Sequence, residues 1–219
     1  MNLTTTQDRG PAFTRTDLLI VLSVVFMILI FLVVMPALSV SRRPARARLT
    51  CIGNLKNIAL GLRLWSADHN QRFPMAVSTN KGGSLEFAGS GQVFRHFQLL
   101  ADELVSPRLL ACPEDKGRQQ NRNFLTLADC NVSYFVGLDA IETNPRLILS
   151  GDRNVSTNGG NLSGILIVST NTPLKWTPDI HQRYGNVALA DGSVQQVNNA
   201  QLQRQVASST NLGVRLEIP

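Results

Sequence analysis

The sequence predicts an α+β protein: a long N-terminal helix, transmembrane and then amphipathic, packed on a mainly antiparallel β-sheet. Three observations carry this. The run LLIVLSVVFMILIFLVVM, Leu18 to Met35, is 18 residues without a charge. The segment LTCIGNLKNIALGLRLWSADHN repeats apolar residues at helical intervals. The second half holds short β-prone pieces between turn residues, the clearest being NVALA-DG-SVQQV.

At a rise of about 1.5 Å per residue, the apolar run spans about 27 Å, close to the hydrocarbon thickness of a bilayer. A helix apolar on every side has no face for water. The chain is therefore expected to start in a membrane. Pro36 and Pro44 follow. Each removes a helical hydrogen bond and crowds the carbonyl four residues earlier, so kinks are expected there. Beyond them Ile52, Leu55, Ala59, Leu62 and Trp65 or Ser66 mark one stripe, with Lys56, Arg63 and Asp68 largely off it. Asn70 and then Phe73-Pro74 end the pattern. One long, bent helix from Phe13 to His69 is the expectation.

Residues 78–92 are turn-rich and read as a loop or loose hairpin. In VFRHFQLLADEL, Phe94, Phe97, Leu100 and Leu104 keep helical spacing, and His96 lies off that stripe, which predicts an exposed histidine. Residues 107–131 read as loop. VSYFVG, RLILSG, ILIVST, NVALA and SVQQV read as strands, and the tail from Gln201 to Pro219 as a short helix or a strand at VRLEI. Asp191-Gly192 predicts a two-residue type I′ turn, with Val187 and Leu189, then Val194 and Val197, facing the N-terminal helix.

The net charge of +6 is concentrated. Arg42, Arg43, Arg46 and Arg48 follow the apolar run, whereas residues from 50 onward are nearly balanced. A juxtamembrane basic cluster suits anionic lipid headgroups. No later basic stripe with interleaved aromatics suggests nucleic acid as a partner. The three cysteines form no CxxC, and His69, His96 and His181 show no ligand spacing, so no metal or other cofactor is expected. In an oxidising space Cys112 and Cys130 are the candidate disulfide, leaving Cys51 over. No nucleophile–base pair or G-x-S-x-G is visible, so an enzyme is not expected, and no small-molecule substrate is evident.

The start, MNLTTTQDRGPA followed by FTRTDLL, resembles the type IV prepilin motif: a short polar leader, a small residue, Phe, and a carboxylate five residues into the mature chain. Ala12 stands where Gly is usual and Asp17 where Glu is usual. The resemblance implies cleavage between Ala12 and Phe13 by a prepilin peptidase, which typically also methylates Phe13. It implies that Asp17 pairs with the α-amine of a neighbouring subunit; the physical alternative is that Asp17 stabilises or caps its own helix start. His181, nine residues, and then Asp191-Gly192 resemble the H-x9-DG domain at the C-terminal end of prepilin-like proteins. CIGNLKNIALGLRLWSADHNQRFP, Cys112-Pro113 and Gly151-Asp152-Arg153-Asn154 resemble further landmarks of that family.

A pilin-like organisation follows from the resemblance: residues 1–12 a leader, 13–38 a transmembrane assembly helix, 39–75 the basic segment and amphipathic helix, and 76–219 a globular H-x9-DG-type domain. The implied role is a pseudopilin-like or minor-pilin-like structural subunit of a type II secretion or type IV pilus-like assembly. It would sit in a bacterial inner membrane, single-pass, with its globular domain periplasmic or extracellular, and its partners would be other pilin-like subunits. The arginines after the apolar run pull the other way under the positive-inside rule. A non-polymerising, membrane-anchored binding module is the alternative. For His181 the simplest role is a bond to backbone or to Asp191 that fixes the turn; metal ligation with Asp191 or Asp152 is the lesser reading. Asp152 and Asn154 are expected to bond backbone amides in a tight polar turn.

Overall fold

The computed structural model describes residues 14–40, 43–157, 162–209 and 214–219. The chain divides between Ala45 and Arg46 into two compact units. This division falls inside the segment 39–75, so most of the amphipathic helix belongs with the globular domain.

In the first unit, α1 runs from Arg15 to Val40, with Pro36 inside it. Its stretch Arg15–Pro36 is long and apolar enough to cross a membrane. Leu18 to Met35 are exposed throughout. α2 spans Arg43–Asp68. The expected continuous helix would join these two through residues 41–42, which lie outside the described residues. α2 ends where Asn70 and Gln71 adopt φ of 56° and 57°. Asn tolerates that left-handed backbone better than most residues.

The globular unit is built on a six-stranded sheet ordered β4-β8-β1-β2-β6-β7. The strands are β1 Tyr134–Gly137, β2 Ile148–Asp152, β4 Gly164–Val168, β6 Gly185–Leu189, β7 Val194–Val197 and β8 Val214–Ile218. All neighbours in this sheet pair antiparallel. β3 (Val155–Ser156) and β5 (Lys175–Trp176) form a separate antiparallel ribbon. Two helices complete the domain: α3 (Phe94–Gln98) and α4 (Asn199–Ser209). The tail thus holds both a helix and a strand.

Side-chain alternation along the strands splits the core into two layers. Tyr134, Val136, Leu149, Ala188 and Ala190 share one apolar cluster with Leu55, Ile58, Ala59, Leu62 and Trp65 of α2. Phe135, Ile148, Val187, Leu189, Val197 and Leu216 share the other with Leu202 and Val206 of α4 and with Trp176. Val187 and Leu189 therefore face α4, not the N-terminal helix as expected. β6 is buried at every position, so both of its parities were available to a core face. The α2 stripe holds, with Cys51 in the core and Ile52 half-buried.

The hairpin at Asp191-Gly192 forms with a different turn. Of its residues only Gly192 has positive φ, at 83°. A type I′ turn needs two such residues. Instead the Gly192 amide donates to the Leu189 carbonyl, and the Leu189 amide to the Ser193 carbonyl, each at 2.9 Å. This closes a three-residue loop with glycine at its left-handed position.

His96 is buried, not exposed. Its Nδ1 lies 2.7 Å from Ser84 Oγ and its Nε2 lies 3.0 Å from Glu217 Oε2. α3 is only five residues long. A one-turn helix has too little length for a stripe to define an outer face, and β8 supplies the acid that covers it.

Candidate functional site

His181 is the centre of a buried polar cluster. The backbone that delivers it is strained: His181, Gln182 and Arg183 have φ of 55°, 54° and 69°. Each non-glycine residue held in that region costs roughly 1–2 kcal/mol, and such strain persists where the surroundings fix it. Here the Tyr184 amide bonds the His181 carbonyl at 3.2 Å. Asn154 Nδ2 donates to the carbonyls of Thr177 and Ile180, each at 2.9 Å, and so clamps the loop that leads into the turn. Arg48 Nη2 donates to Gln182 Oε1 at 3.0 Å, so this arginine of the basic cluster faces the domain.

The imidazole is fully buried and meets three groups. Nδ1 lies 2.8 Å from Glu114 Oε2. A carboxylate only accepts, so Nδ1 carries the hydrogen and Nε2 presents its lone pair in the neutral ring. Nε2 lies 3.6 Å from Cys112 Sγ and 3.4 Å from Asp152 Oδ2. Burial lowers the pKa of His181, although the Glu114 charge and hydrogen bond oppose this.

Cys112 is bonded to Cys51, with Cα atoms 5.1 Å apart. This corrects the expected Cys112–Cys130 pair: Cys130 is a free, exposed thiol. The Gln119 amide donates to the Cys130 carbonyl at 3.0 Å, so the backbone at Cys130 is held by a hydrogen bond. The bond observed instead staples α2 to the loop before β1 across a sequence separation of 61 residues. Cross-linking a loop of that length stabilises by about 4 kcal/mol in the chain-entropy account.

Asp152 closes β2 and is fully buried. Its Oδ2 accepts from the Asn186 amide at 2.7 Å and from Asn186 Nδ2 at 2.9 Å. Its Oδ1 is buried with no hydrogen-bond partner among the described residues. Burial pushes its pKa up to about 7 against the pull of the Asn186 bonds, and the nearby Asp115 and Glu114 charges add to the rise. The expected turn at Asp152 and Asn154 is thus replaced. Asp152 ends a strand and binds Asn186 of β6, while Asn154 donates to carbonyls rather than accepting from amides.

The structure does not join His181 to Asp191. The Asp191 carboxylate accepts from the Ser193 amide at 2.8 Å, and its carbonyl accepts from Arg63 Nη1 at 2.7 Å. These bonds fix the β6–β7 turn against α2, so the two ends of the H-x9-DG spacing do separate work. Sequence reasoning missed Cys51, Glu114 and Asn186 as partners. The one local signal was that Glu114 directly follows Cys112-Pro113. The junction Ala12–Phe13 lies outside the described residues. Asp17 is described: its Oδ2 accepts from the Thr14 amide at 3.0 Å and from Thr14 Oγ1 at 2.8 Å. The Asp17 amide returns a 3.3 Å bond to Thr14 Oγ1, which completes a capping box.

Chemically the buried cluster has a lone-pair nitrogen, two sulfurs and a carboxylate within a few ångströms, and nothing exposed enough to admit a bulky substrate. Comparison of the chain with models of protein families, with curated proteins and with solved structures found no match.

Proposed function

We propose that the protein is a pseudopilin-like or minor-pilin-like structural subunit of a type II secretion or type IV pilus-like assembly in a bacterial inner membrane. The observation that carries this reading is α1, a helix exposed and apolar on every side from Leu18 to Met35, with a single acid, Asp17, in its first turn. Such a rod is stable in lipid, or against like rods that bury the same surface. An isolated carboxylate at the edge of an apolar helix is a functional-site candidate by default. The α+β domain that follows, with an amphipathic helix laid on an antiparallel sheet, supports a pilin-like organisation.

In this reading a prepilin peptidase cleaves between Ala12 and Phe13 and Phe13 is methylated. Asp17 then meets the new α-amine of a neighbouring subunit, and the H-x9-DG-type domain forms the periplasmic or extracellular surface. Mass spectrometry of the chain extracted from its native membrane tests this directly. A chain beginning at a methylated Phe13 is expected, and an intact Met1 overturns the proposal. Asp17→Ala is expected to leave membrane insertion intact and to abolish crosslinking between subunits.

The second reading, a non-polymerising membrane anchor, has the Thr14–Asp17 capping box in its favour, because the carboxylate already has a local task. Under that reading Asp17→Ala weakens the helix start and changes nothing else.

A further inference from the structure

We infer that Cys51, Cys112, His181 and Asp152 form a tetrahedral zinc site in the dithiol state of the chain, and that the Cys51–Cys112 disulfide is the oxidised alternative to it.

Distances carry the argument. The two cysteine sulfurs and a His181 ring nitrogen lie within 4.8 Å of one another. In a tetrahedral site with Zn–S of about 2.3 Å, Zn–N of about 2.0–2.1 Å and Zn–O of about 2.1 Å, sulfur and nitrogen are about 3.6 Å apart and nitrogen and oxygen about 3.4 Å. His181 Nε2 lies 3.6 Å from Cys112 Sγ and 3.4 Å from Asp152 Oδ2. His181 Nε2 therefore already holds ligand spacing to both Cys112 Sγ and Asp152 Oδ2. Reduction must let the two sulfurs separate to about 3.8 Å, and Asp152, which lies outside that group of mutually close donors, must draw nearer to them.

The protonation pattern agrees. Glu114 fixes the hydrogen on Nδ1, which is the carboxylate–histidine arrangement that orients a metal-binding imidazole. It leaves the Nε2 lone pair facing a sulfur that carries no hydrogen in the disulfide. Asp152, fully buried, keeps Oδ1 without a hydrogen-bond partner among the described residues. A lone-pair nitrogen and a carboxylate facing each other in a dry interior repel unless a proton or a cation lies between them. A divalent cation between them turns that repulsion into attraction, and two thiolates would leave the zinc complex one negative charge in excess. The donor set of two sulfurs, one imidazole and one carboxylate suits zinc in coordination number and softness.

The two states interconvert by balanced chemistry. A dithiol reductant attacks the disulfide and closes to its own disulfide, delivering two electrons and two protons, so that Cys51 and Cys112 become thiols. Zn²⁺ then displaces both thiol protons to solvent and forms two zinc–sulfur bonds. The newly synthesised chain carries the two thiols already. The inference does not rest on assembly of the chain and stands or falls separately from it.

The test uses the full chain in detergent, reduced with dithiothreitol, freed of reductant under argon and titrated with Co²⁺ and then Zn²⁺. The reduced chain is expected to bind one Co²⁺, with thiolate-to-cobalt charge-transfer bands and the intense visible bands of a tetrahedral site, and to release it to Zn²⁺. The disulfide form is expected to bind none. Zn²⁺ should raise the melting temperature of the reduced chain and leave that of the oxidised chain unchanged. His181→Gln should weaken binding at least about 100-fold. Glu114→Gln keeps every ligand and should weaken it by about 10-fold with an unchanged spectrum. A reduced chain without a tetrahedral spectrum overturns the inference. So does binding that is indifferent to His181→Gln, which would mean capture by loose thiols, and so does binding without a rise in melting temperature.

Discussion

Asp115 shows burial and charge opposed within one residue. Burial pushes its carboxyl up, but the Arg153 fork, at 2.7 Å and 2.8 Å, helped by Ser133 and the Gly117 amide, outweighs this and holds it below the usual 3.8. The folded chain therefore holds this proton more weakly than the unfolded chain does. The stabilisation is complete above about pH 3.8 and is lost as pH falls through the lowered value. Asp115→Ala strands a mostly buried guanidinium and is expected to cost about 3 kcal/mol near neutral pH. Urea denaturation checks the size. Repeating it in acid checks the sign: the gap between wild type and variant should narrow as pH falls. At this scale the sequence was least legible. His181 stood out by its spacing to Asp191, yet its partners Glu114 and Cys51 are 67 and 130 positions away, and no local pattern encodes such proximity. His96 misled for the same reason, since Glu217, 121 positions on, covers it.

Among elements, legibility followed length. α2 could be read because 26 residues sample many helical turns, and the predicted stripe at Leu55, Ala59, Leu62 and Trp65 or Ser66 is the buried face. β1, β2, β4, β6 and β7 were found in place, because β-branched runs between turn residues favour extended backbone, whereas β8 was one of two alternatives and the two-residue strands β3 and β5 were not read. What alternation did not reveal was the facing of β6, which has core on both sides. The hairpin turn was located correctly but typed wrongly, because Asp-Gly serves both a two-residue loop and the end of a three-residue one. Gly192 carries the consequence. Its φ is 83°, and a Cβ placed there would approach Arg63 Cδ at 3.2 Å. Gly192→Ala should lower stability by about 1–2 kcal/mol through backbone strain, since the flexible arginine can retreat. Gly192→Asn should recover part of that, because asparagine tolerates the left-handed region. Parallel urea curves for the two variants decide between strain and crowding: a crowding origin would make the larger asparagine worse.

For the whole molecule, the apolar helix α1 and the folded domain draw on separate stabilising forces. Among the described residues, both apolar clusters are built from Cys51 onward, and α1 supplies nothing to either. The contacts that begin α2 inside the second unit come from Arg48, through Gln182 and Glu114. The staple between Cys51 and Cys112 also lies wholly within that unit. A chain beginning at Arg46 therefore keeps every residue of both clusters, both layers on the sheet and the disulfide, and loses α1 and the first three residues of α2. It is expected to be soluble without detergent, to show the near-ultraviolet circular dichroism of packed aromatics, and to match the stability of the domain in the full chain within about 1 kcal/mol. For a domain of this size that is a melting difference of about 2–4 °C. A truncated chain that aggregates, or keeps helical signal without aromatic packing, would mean that α1 completes the core. The division of labour between rod and domain would then be wrong, and with it the idea that α1 is free to exchange lipid for neighbouring helices.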